Sequence, residues 1–487
     1  MFSASSATAS SSSGTTAISP RRRGIARLAA SVMASGLVMA GAFVGAGSAV
    51  ADETPQHQGG ASAVLDGLKT FDRAVLHSNG RNQQLPAGLF EMTVDGGGKL
   101  KTYCIDIHNP TQDQAKYLET PWSQTSLNSN KNAGKIRWIL EHSYPQVDDL
   151  AELAKAAGTG PLTEKTAAAG TQVAIWRYSD GADVDATDAQ AEKLADWLEK
   201  SATDQEEPKA SLALDPAAVS GRSGEKLGPV TVHTNAGQVS VTGPVDAASG
   251  VKVTDKAGQP VTTASNGAEL YFDVPAGTAD GTASLTVQAT TSVPVGRAFA
   301  GVTKSQTMIL AGSSESTVSA TATGTWAKKG AIPAVSAQKN CAKGGVDVTA
   351  SNEGDEAFTF ELAGKEHTVE AGKTETITVP VAEDQAYDIT VTGPNGFSKT
   401  FKGILDCKTS GSGNGGNGGT DTQTGGDKTP ATSGGSSAGS TGGSGDLAET
   451  GGSSATPVIA GVAIALVVVG GGAVFLLRKR KAQPTAQ

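Results

Sequence analysis

The spacing of hydrophobic positions gives residues 60–204 a mixed pattern. Two alternating runs, at 89–94 and 100–107, flank the turn sequence 95–98, and together they predict a β-hairpin. Helical spacing follows and predicts four helices, at 131–142, 147–157, 163–178 and 187–201. We therefore predict an α+β domain over residues 60–204.

The next two regions have a different pattern. Residues 208–330 and 335–408 consist of short β-branched runs broken by Gly, Pro and Asn, a spacing typical of β-sandwiches. Residues 409–446 are almost wholly Gly, Ser, Thr, Asn and Asp, a composition that cannot bury enough apolar surface to fold. We predict two all-β domains followed by a disordered linker.

Both ends of the chain have the pattern of targeting segments. A basic stretch and an apolar run precede the small residues Ala49 and Ala51, which predicts a secretory signal peptide over 1–51, cleaved between Ala51 and Asp52. Residues 458–477 are uncharged and long enough to cross a bilayer as a helix. The basic residues that follow favour the cytoplasm, so the preceding chain is expected to lie outside the cell.

The charge balance argues against one class of partner. The chain has 39 Lys and Arg against 48 Asp and Glu, and eight of the bases lie in the two terminal segments. Without them, 31 bases face 48 acids, a formal charge of −17. Binding to nucleic acid requires clustered bases that neutralise phosphates, so we expect no nucleic-acid partner.

The three cysteines of an exported chain leave one without a partner. Cys341 and Cys407 bracket the last β region, and we predict a disulfide between them. Cys104 is then left over. In a strand over 100–107 its sulfur points away from the face that carries Tyr103 and Ile105.

Gln172 is the second unusual residue. In the predicted helix it shares a face with Ala168, Ile175 and Trp176. A buried carboxamide needs hydrogen-bond partners, unless the amide has been consumed in a reaction. A thiolate that attacked this carbonyl would expel ammonia and leave a Cys–Gln thioester.

Two short motifs carry a family resemblance. The sequence Tyr-Cys-Ile-Asp at 103–106 and the sequence Thr-Gln-Val-Ala-Ile-Trp at 171–176 resemble the two halves of the thioester domain, or TQxA domain, of Gram-positive surface adhesins. The resemblance covers residues 60–204 and implies an internal thioester between Cys104 and Gln172. It also implies that the two β regions are immunoglobulin-like stalk modules. The motif neighbours of the thioester are Tyr103, Asp106, Thr171, Ala174 and Trp176.

The C-terminal segment 447–487 carries a second resemblance. A pentapeptide, an apolar run and a basic tail follow one another, as in a sortase sorting signal. The resemblance implies that a class E sortase cuts between Thr450 and Gly451 and joins Thr450 to peptidoglycan. A secreted, wall-anchored protein with transient membrane insertion is therefore expected. The residues of the pentapeptide are Leu447, Ala448, Glu449, Thr450 and Gly451.

Three functions are compatible with these features. A covalent adhesin, reacting once with a lysine amine on a partner, uses both Cys104 and Gln172. A passive wall spacer would leave Cys104 inert. A Cys-His hydrolase or transpeptidase would use Cys104 as nucleophile and His108 or His142 as base, but would leave Gln172 unexplained. We favour the adhesin, which is not an enzyme.

We expect neither a cofactor nor a metal ion. The acidic stretch 180–188 lacks the loop glycine and the closing glutamate of a calcium-binding EF-hand loop. We interpret it as a solvated loop before a helix.

Overall fold

The computed structural model describes residues 59–244 and 250–409. The predicted signal peptide with its Ala51–Asp52 cleavage site, the linker beyond residue 409 and the sorting signal 447–487 lie outside these residues. Within the described ranges, no helix has the length and apolar character needed to span a membrane.

The described chain contains 23 strands. They are β1 (Ser62–Ser78), β2 (Arg81–Val94), β3 (Lys99–Cys104), β4 (Lys116–Thr120), β5 (Val184–Ala186), β6 (Leu212–Asp215), β7 (Ala218–Arg222), β8 (Lys226–Thr234), β9 (Val239–Thr242), β10 (Lys252–Thr254), β11 (Thr263–Ala264), β12 (Glu269–Asp273), β13 (Gly281–Ser292), β14 (Ala298–Gly301), β15 (Met308–Ser313), β16 (Glu315–Ala327), β17 (Pro333–Asn340), β18 (Gly345–Asn352), β19 (Phe358–Leu362), β20 (Lys365–Val369), β21 (Lys373–Pro380), β22 (Gln385–Thr392) and β23 (Ser398–Leu405).

All four predicted helices are present: α3 is shifted by one residue at each end, and the other three are slightly shorter than predicted. The longest, α3, begins after a capping box in which Thr163 and Thr166 exchange side-chain and main-chain hydrogen bonds. Two 3-10 helices, Trp122–Gln124 and Ser126–Asn128, precede the first α-helix. The α-helices are α1 (Ala133–Glu141), α2 (Leu150–Ala157), α3 (Glu164–Ser179) and α4 (Ala189–Ser201).

The predicted hairpin is confirmed: β2 and β3 pair in antiparallel register across the turn 95–98. Gly96, Gly97 and Gly98 all have positive φ, at 82°, 110° and 109°. This left-handed backbone is open to glycine at little cost, which explains the three consecutive glycines.

Cys104 belongs to a seven-stranded sheet. Its order is β2-β3-β15-β14-β4-β1-β5, and β1 also pairs with β2, so six of the strands form a closed ring. The ring includes β14 and β15, which belong to the region 208–330 that the sequence predicts as a separate sandwich. Those two strands pair instead with β4 and β3. The predicted boundary between regions 60–204 and 208–330 therefore does not coincide with a boundary between sheets.

The remaining strands form two pairs of sheets. The first sandwich combines β10-β12-β8-β6 with β11-β9-β13-β16-β7, and the last combines β17-β18-β21 with β20-β19-β22-β23. One hydrophobic core runs from Ala61 to Trp326, and a second lies within the last sandwich. The α+β region followed by a largely β body agrees with the predicted fold. The immunoglobulin-like character of the sandwiches stays a prediction.

The last sandwich is closed by the predicted disulfide. Cys341 and Cys407 are bonded, and Cys104 is the free cysteine among the described residues. Contacts join this sandwich to the ring of strands: Lys304 pairs with Asp384 at 3.1 Å, and the Thr307 hydroxyl donates to Asp406 at 2.8 Å. The end of the last sandwich therefore lies beside the strand that pairs with β3.

Candidate functional site: a cysteine and a glutamine in contact

Two elements bring Cys104 and Gln172 together. Cys104 is the last residue of β3, where it pairs with Met308 of β15. Gln172 lies in the middle of α3, which packs across β1, β2 and β3. Gly170 lets α3 approach α4 closely, because a Cβ at this position would lie 2.5 Å from the main-chain oxygen of Ala191.

The two residues exchange a pair of hydrogen bonds. The Cys104 N–H donates to Oε1 of Gln172 at 2.9 Å, and Nε2 of Gln172 donates to the Cys104 carbonyl at 2.8 Å. Both residues are completely buried. The glutamine that interrupts an apolar helical stripe thus finds its partners on the main chain of the cysteine.

The Cys104 sulfur lies in a turn formed by its own chain. The Asp106 N–H donates to Sγ at 3.2 Å, and the thiol donates to the Asp106 carbonyl at 3.1 Å. Burial raises the pKa of the Cys104 thiol, and the carboxyls of Asp106 and Asp180 raise it further. The thiol is therefore protonated at neutral pH, and its proton must be removed before the sulfur can act as a nucleophile.

This geometry suits acyl transfer. A thiolate at Cys104 is beside a carboxamide whose oxygen already accepts a main-chain N–H. That N–H would stabilise negative charge on the oxygen as the sulfur attacks, as a donor in an oxyanion hole does. Loss of ammonia would then leave a thioester joining β3 to α3.

The other motif residues surround this pair. Tyr103 is buried and donates its hydroxyl to the carbonyl of Tyr144 at 2.7 Å, while Thr171 donates to Ala167 at 2.8 Å. Ala174 and Trp176 are fully buried on the same helix. The Tyr103 hydroxyl thus ties β3 to the segment after α1, whereas the Thr171 hydrogen bond lies within α3.

Trp176 has a closer relation to the sulfur. Its indole N–H lies close enough to Cys104 to oppose the rise of the thiol pKa. The same Nε1 is buried and makes no hydrogen bond of ordinary geometry within the described ranges. The indole N–H therefore remains available to a sulfur that gains negative charge.

The two histidines suggested as bases make other contacts or face solvent. His142 is exposed, its ring stacks on Trp138 at a centroid distance of 4.0 Å, and its Nδ1 lies 2.8 Å from the Trp138 carbonyl. His108 follows β3 in the turn and is also exposed. Although the His108 side chain reaches solvent, the surrounding protein partly desolvates its ring, which lowers the pKa of His108.

The sequence analysis did not assign two further carboxyls, those of Asp180 and Asp406, to this site. Asp180 caps α3 and accepts the Ile107 N–H at 3.0 Å, so it is not part of a solvated loop. Asp406 belongs to the last sandwich and accepts from Thr307, whose carbonyl accepts the Ile105 N–H at 3.0 Å. The end of a helical pattern could have indicated Asp180. No local signal could have indicated Asp406, which is about 300 residues from Cys104 along the chain.

These carboxyls have raised pKa values. Burial is the largest cause for Asp106, and the neighbouring Asp406 and Asp180 add to it, which raises the pKa of Asp106 to about 8. Burial likewise raises the pKa of Asp180 to about 7 and that of Asp406 to about 6. Near neutral pH the three groups share fewer than three negative charges.

One cluster of carboxylates has the spacing of a metal site, but main-chain N–H groups and a lysine of the protein already contact these carboxylates. The oxygens of Glu383, Asp384 and Asp406 lie within 4.8 Å of one another. Main-chain N–H groups of Cys407 and Lys408 donate to Glu383, and Lys304 pairs with Asp384. We assign no metal to it, and the expectation of a metal-free protein stays a prediction.

Comparison with known proteins agrees with the chemistry of this site. Residues 101–204 match the family model of the thioester domain. This segment contains Cys104, Gln172 and every motif residue described above. No enzyme family is indicated for it, so a Cys-His hydrolase or transpeptidase finds no support.

The last sandwich gives a separate match. Residues 333–404 match the C-terminal domain of bacterial phospholipase C. This match contains neither residue of the Cys104–Gln172 pair. No curated protein sequence matches the chain at a significant level.

Solved structures of thioester proteins resemble the chain distantly. The Bacillus anthracis TIE protein is 17% identical, with 72% of this chain and 81% of that chain covered and a TM-score of 0.26. The thioester domain of the Enterococcus faecium TIE86 protein is 16% identical, covering 55% and 97%, with a TM-score of 0.26. The thioester domain of the Staphylococcus aureus TIE protein is 12% identical, covering 54% and 98%, with a TM-score of 0.20.

Proposed function

We propose that this protein is a surface adhesin that attaches covalently to an amine-bearing partner through a thioester between Cys104 and Gln172. One observation carries the proposal: the Gln172 carboxamide is held against Cys104 by two hydrogen bonds, of 2.9 and 2.8 Å, in a fully buried site. These bonds hold the carboxamide against the residue that carries the thiol, and such positioning favours acyl transfer between the two.

The thioester is an acyl electrophile that reacts once. A lysine ε-amine of a partner protein attacks Cδ of Gln172, the C–S bond breaks, and an amide to the partner replaces the thioester. The thiolate leaves far more readily than the ammonia of an ordinary amide. The burial of both residues shields the bond from water, which would otherwise hydrolyse it.

We further propose that the segments outside the folded region bring this chemistry to a cell surface. We propose export by the signal peptide 1–51 and sortase attachment of Thr450 to peptidoglycan, with the linker 409–446 between the wall and the folded region. The order of these segments along the sequence supports this part of the proposal.

Intact mass spectrometry tests the thioester directly. We expect region 52–426, which contains every described residue, to weigh one ammonia less than its sequence once the Cys341–Cys407 disulfide is allowed for. Methylamine should add to the protein once. Cys104→Ala and Gln172→Ala variants should keep their full mass and not react, because each lacks half of the bond.

The opposite result is equally clear. An unreacted carboxamide in freshly prepared protein, inert to methylamine, would contradict the proposal and favour the passive spacer. High mass resolution is needed, because a hydrolysed thioester and an intact carboxamide have nearly equal masses.

A further inference from the structure

The Cys104–Gln172 reaction requires a proton carrier, and the contacts of Cys104 described above do not include a histidine. Forming the thioester moves a proton from a thiol of raised pKa to the departing nitrogen. Reaction with an amine moves a proton from that amine back to the sulfur. The ring of His142 contacts its own helix, and that of His108 is exposed.

Asp106 is positioned for this task. Its main-chain N–H and carbonyl lie 3.2 and 3.1 Å from the Cys104 sulfur, and its carboxyl is close enough to raise the pKa of the Cys104 thiol. The residue is 1% exposed. Oδ2 accepts from Asn109 at 2.6 Å, but the buried Oδ1 has no hydrogen-bond partner among the described residues.

We propose that Asp106 is the proton-transfer residue of the thioester site, and that its carboxyl receives the incoming amine. The proposal rests on the proposed thioester function and deepens it. It assigns the carrier of the proton and defines the substrate as a primary amine that can enter a small acidic site.

The steps balance in both directions. In formation, the Asp106 carboxylate takes the thiol proton, the sulfur attacks Cδ of Gln172, the C–N bond breaks, and the same proton leaves with the nitrogen as ammonia. In the amine reaction, the amine nitrogen attacks Cδ and the C–S bond breaks. Asp106 passes a proton from the amine to the Cys104 sulfur.

The electrostatic surroundings suit a group that both takes and gives a proton. Burial and the nearby Asp406 and Asp180 raise the pKa of the Asp106 carboxyl to about 8, against the lowering effect of Asn109 and the His108 N–H. A general acid or base acts best when its pKa lies near the working pH. An ordinary exposed aspartate would be almost entirely ionised there.

The test compares Asp106→Asn with the parent region 52–426. We expect the variant to lack the ammonia deficit, or to react with methylamine about 100-fold more slowly, since general acid–base catalysis contributes at least that much. Asp347→Asn is the matched control, because this carboxylate lies in the last sandwich and accepts from Asn340 and Thr378. The control should form the bond and react as the parent does.

The pH profile separates proton transfer from a structural role. The parent's methylamine rate, corrected for the fraction of unprotonated amine, should rise through a midpoint near pH 8, the pKa of Asp106. His108 titrates below 6.5, and Asp180 and Asp406 titrate near 7 and 6, so their midpoints are lower. A corrected parent profile that is flat around pH 8 would overturn the proposal even if Asp106→Asn failed to fold.

Two failures can be told apart. If the parent itself has no ammonia deficit, the proposed thioester function fails, and the role of Asp106 fails with it. If the parent has the deficit and folded Asp106→Asn forms and uses the bond at the parent rate, the role of Asp106 alone is refuted.

Discussion

Groups with opposing effects surround the Cys104 sulfur. Burial and two carboxyls disfavour the thiolate, whereas the Asp106 N–H and the Trp176 indole N–H favour it. A resting thioester places no charge on sulfur, so these donors matter only when the C–S bond breaks. They therefore contribute to the rate of reaction more than to the stability of the fold.

Replacing the indole donor tests this point. We expect Trp176→Phe to slow methylamine addition about fivefold, since a hydrogen bond to a developing charge contributes about 1 kcal/mol or more. Trp326→Phe is the matched control, because Trp326 lies on β16 in the first sandwich, where its Nε1 donates to the Ala279 carbonyl at 2.8 Å. Equal rates in parent and Trp176→Phe would show that the indole N–H does not assist the leaving sulfur.

Part of the site could be predicted because some residues break a local rule. Gln172 interrupts an apolar helical stripe, and Cys104 is the odd cysteine of an exported chain. Both anomalies are visible in short windows of sequence. Asp406 breaks no local rule, because its role depends on the fold bringing residue 406 beside Thr307.

At the scale of elements, the position of α3 determines whether the bond can form. The helix crosses β1, β2 and β3 on one side and packs on α4 on the other. Gly170 sits at the α3–α4 contact, two residues before Gln172. The close approach of the two helices therefore controls the distance between the Gln172 carboxamide and β3.

Gly170→Ala should show this control. Alanine favours a helix by about 1 kcal/mol over glycine, but overpacking a rigid contact costs about 1 to 3 kcal/mol. The new Cβ would lie 2.5 Å from a main-chain oxygen that cannot rotate away, so we expect a net loss of about 2 kcal/mol in the free energy of unfolding.

Urea unfolding measures this loss, and intact mass should show a smaller fraction of protein with the ammonia deficit. Gly237→Ala is the control, because a Cβ there meets no heavy atom within 4 Å. Equal stability of Gly170→Ala and the parent would mean that α4 moves freely away from α3.

The elements themselves were largely predictable, but their pairing was not. Helical periodicity identified α1 to α4, and the glycine-rich turn identified the β2–β3 hairpin. The strands β14 and β15 are short apolar runs, and nothing in their sequence distinguishes a partner in the sandwich from one about 200 residues upstream. Pairing over such distances depends on the whole fold, here a closed ring of strands, and not on the local sequence of each strand.

At the scale of the whole molecule, the raised carboxyl pKa values predict an unusual pH dependence. The folded protein holds protons on Asp106, Asp180 and Asp406 that the unfolded chain releases above its ordinary aspartate pKa of 3.8. The stability that depends on these protons is complete below that pKa, and it is lost as the pH rises through each folded-state pKa.

We expect the melting temperature of region 52–426 to fall as the pH rises from 6.5 to about 8, where Asp180 and Asp106 ionise. The lowered pKa of His108 acts in the opposite direction, but only below its ordinary value of 6.5. Burial lowers the pKa of Lys339, near Asp406, so this side chain loses its positive charge at a lower pH than an ordinary lysine.

Circular dichroism at several pH values measures this trend. Asp180→Asn should flatten it, because the variant has one carboxyl fewer to ionise and no longer raises the pKa of Asp106. Asp388→Asn, on the exposed Lys402–Asp388 pair, should leave it unchanged. A parent melting temperature that stays constant or rises over this range would contradict the prediction.

The ring of strands also sets the order of events during synthesis. A chain that emerges from its N-terminus contains Cys104 and Gln172 long before it contains β15, whose Met308 pairs with Cys104. Until residue 313 is available, β3 lacks one neighbour and the environment of the sulfur is incomplete. The proposed thioester is therefore expected to form only after synthesis has passed residue 313 of the 487.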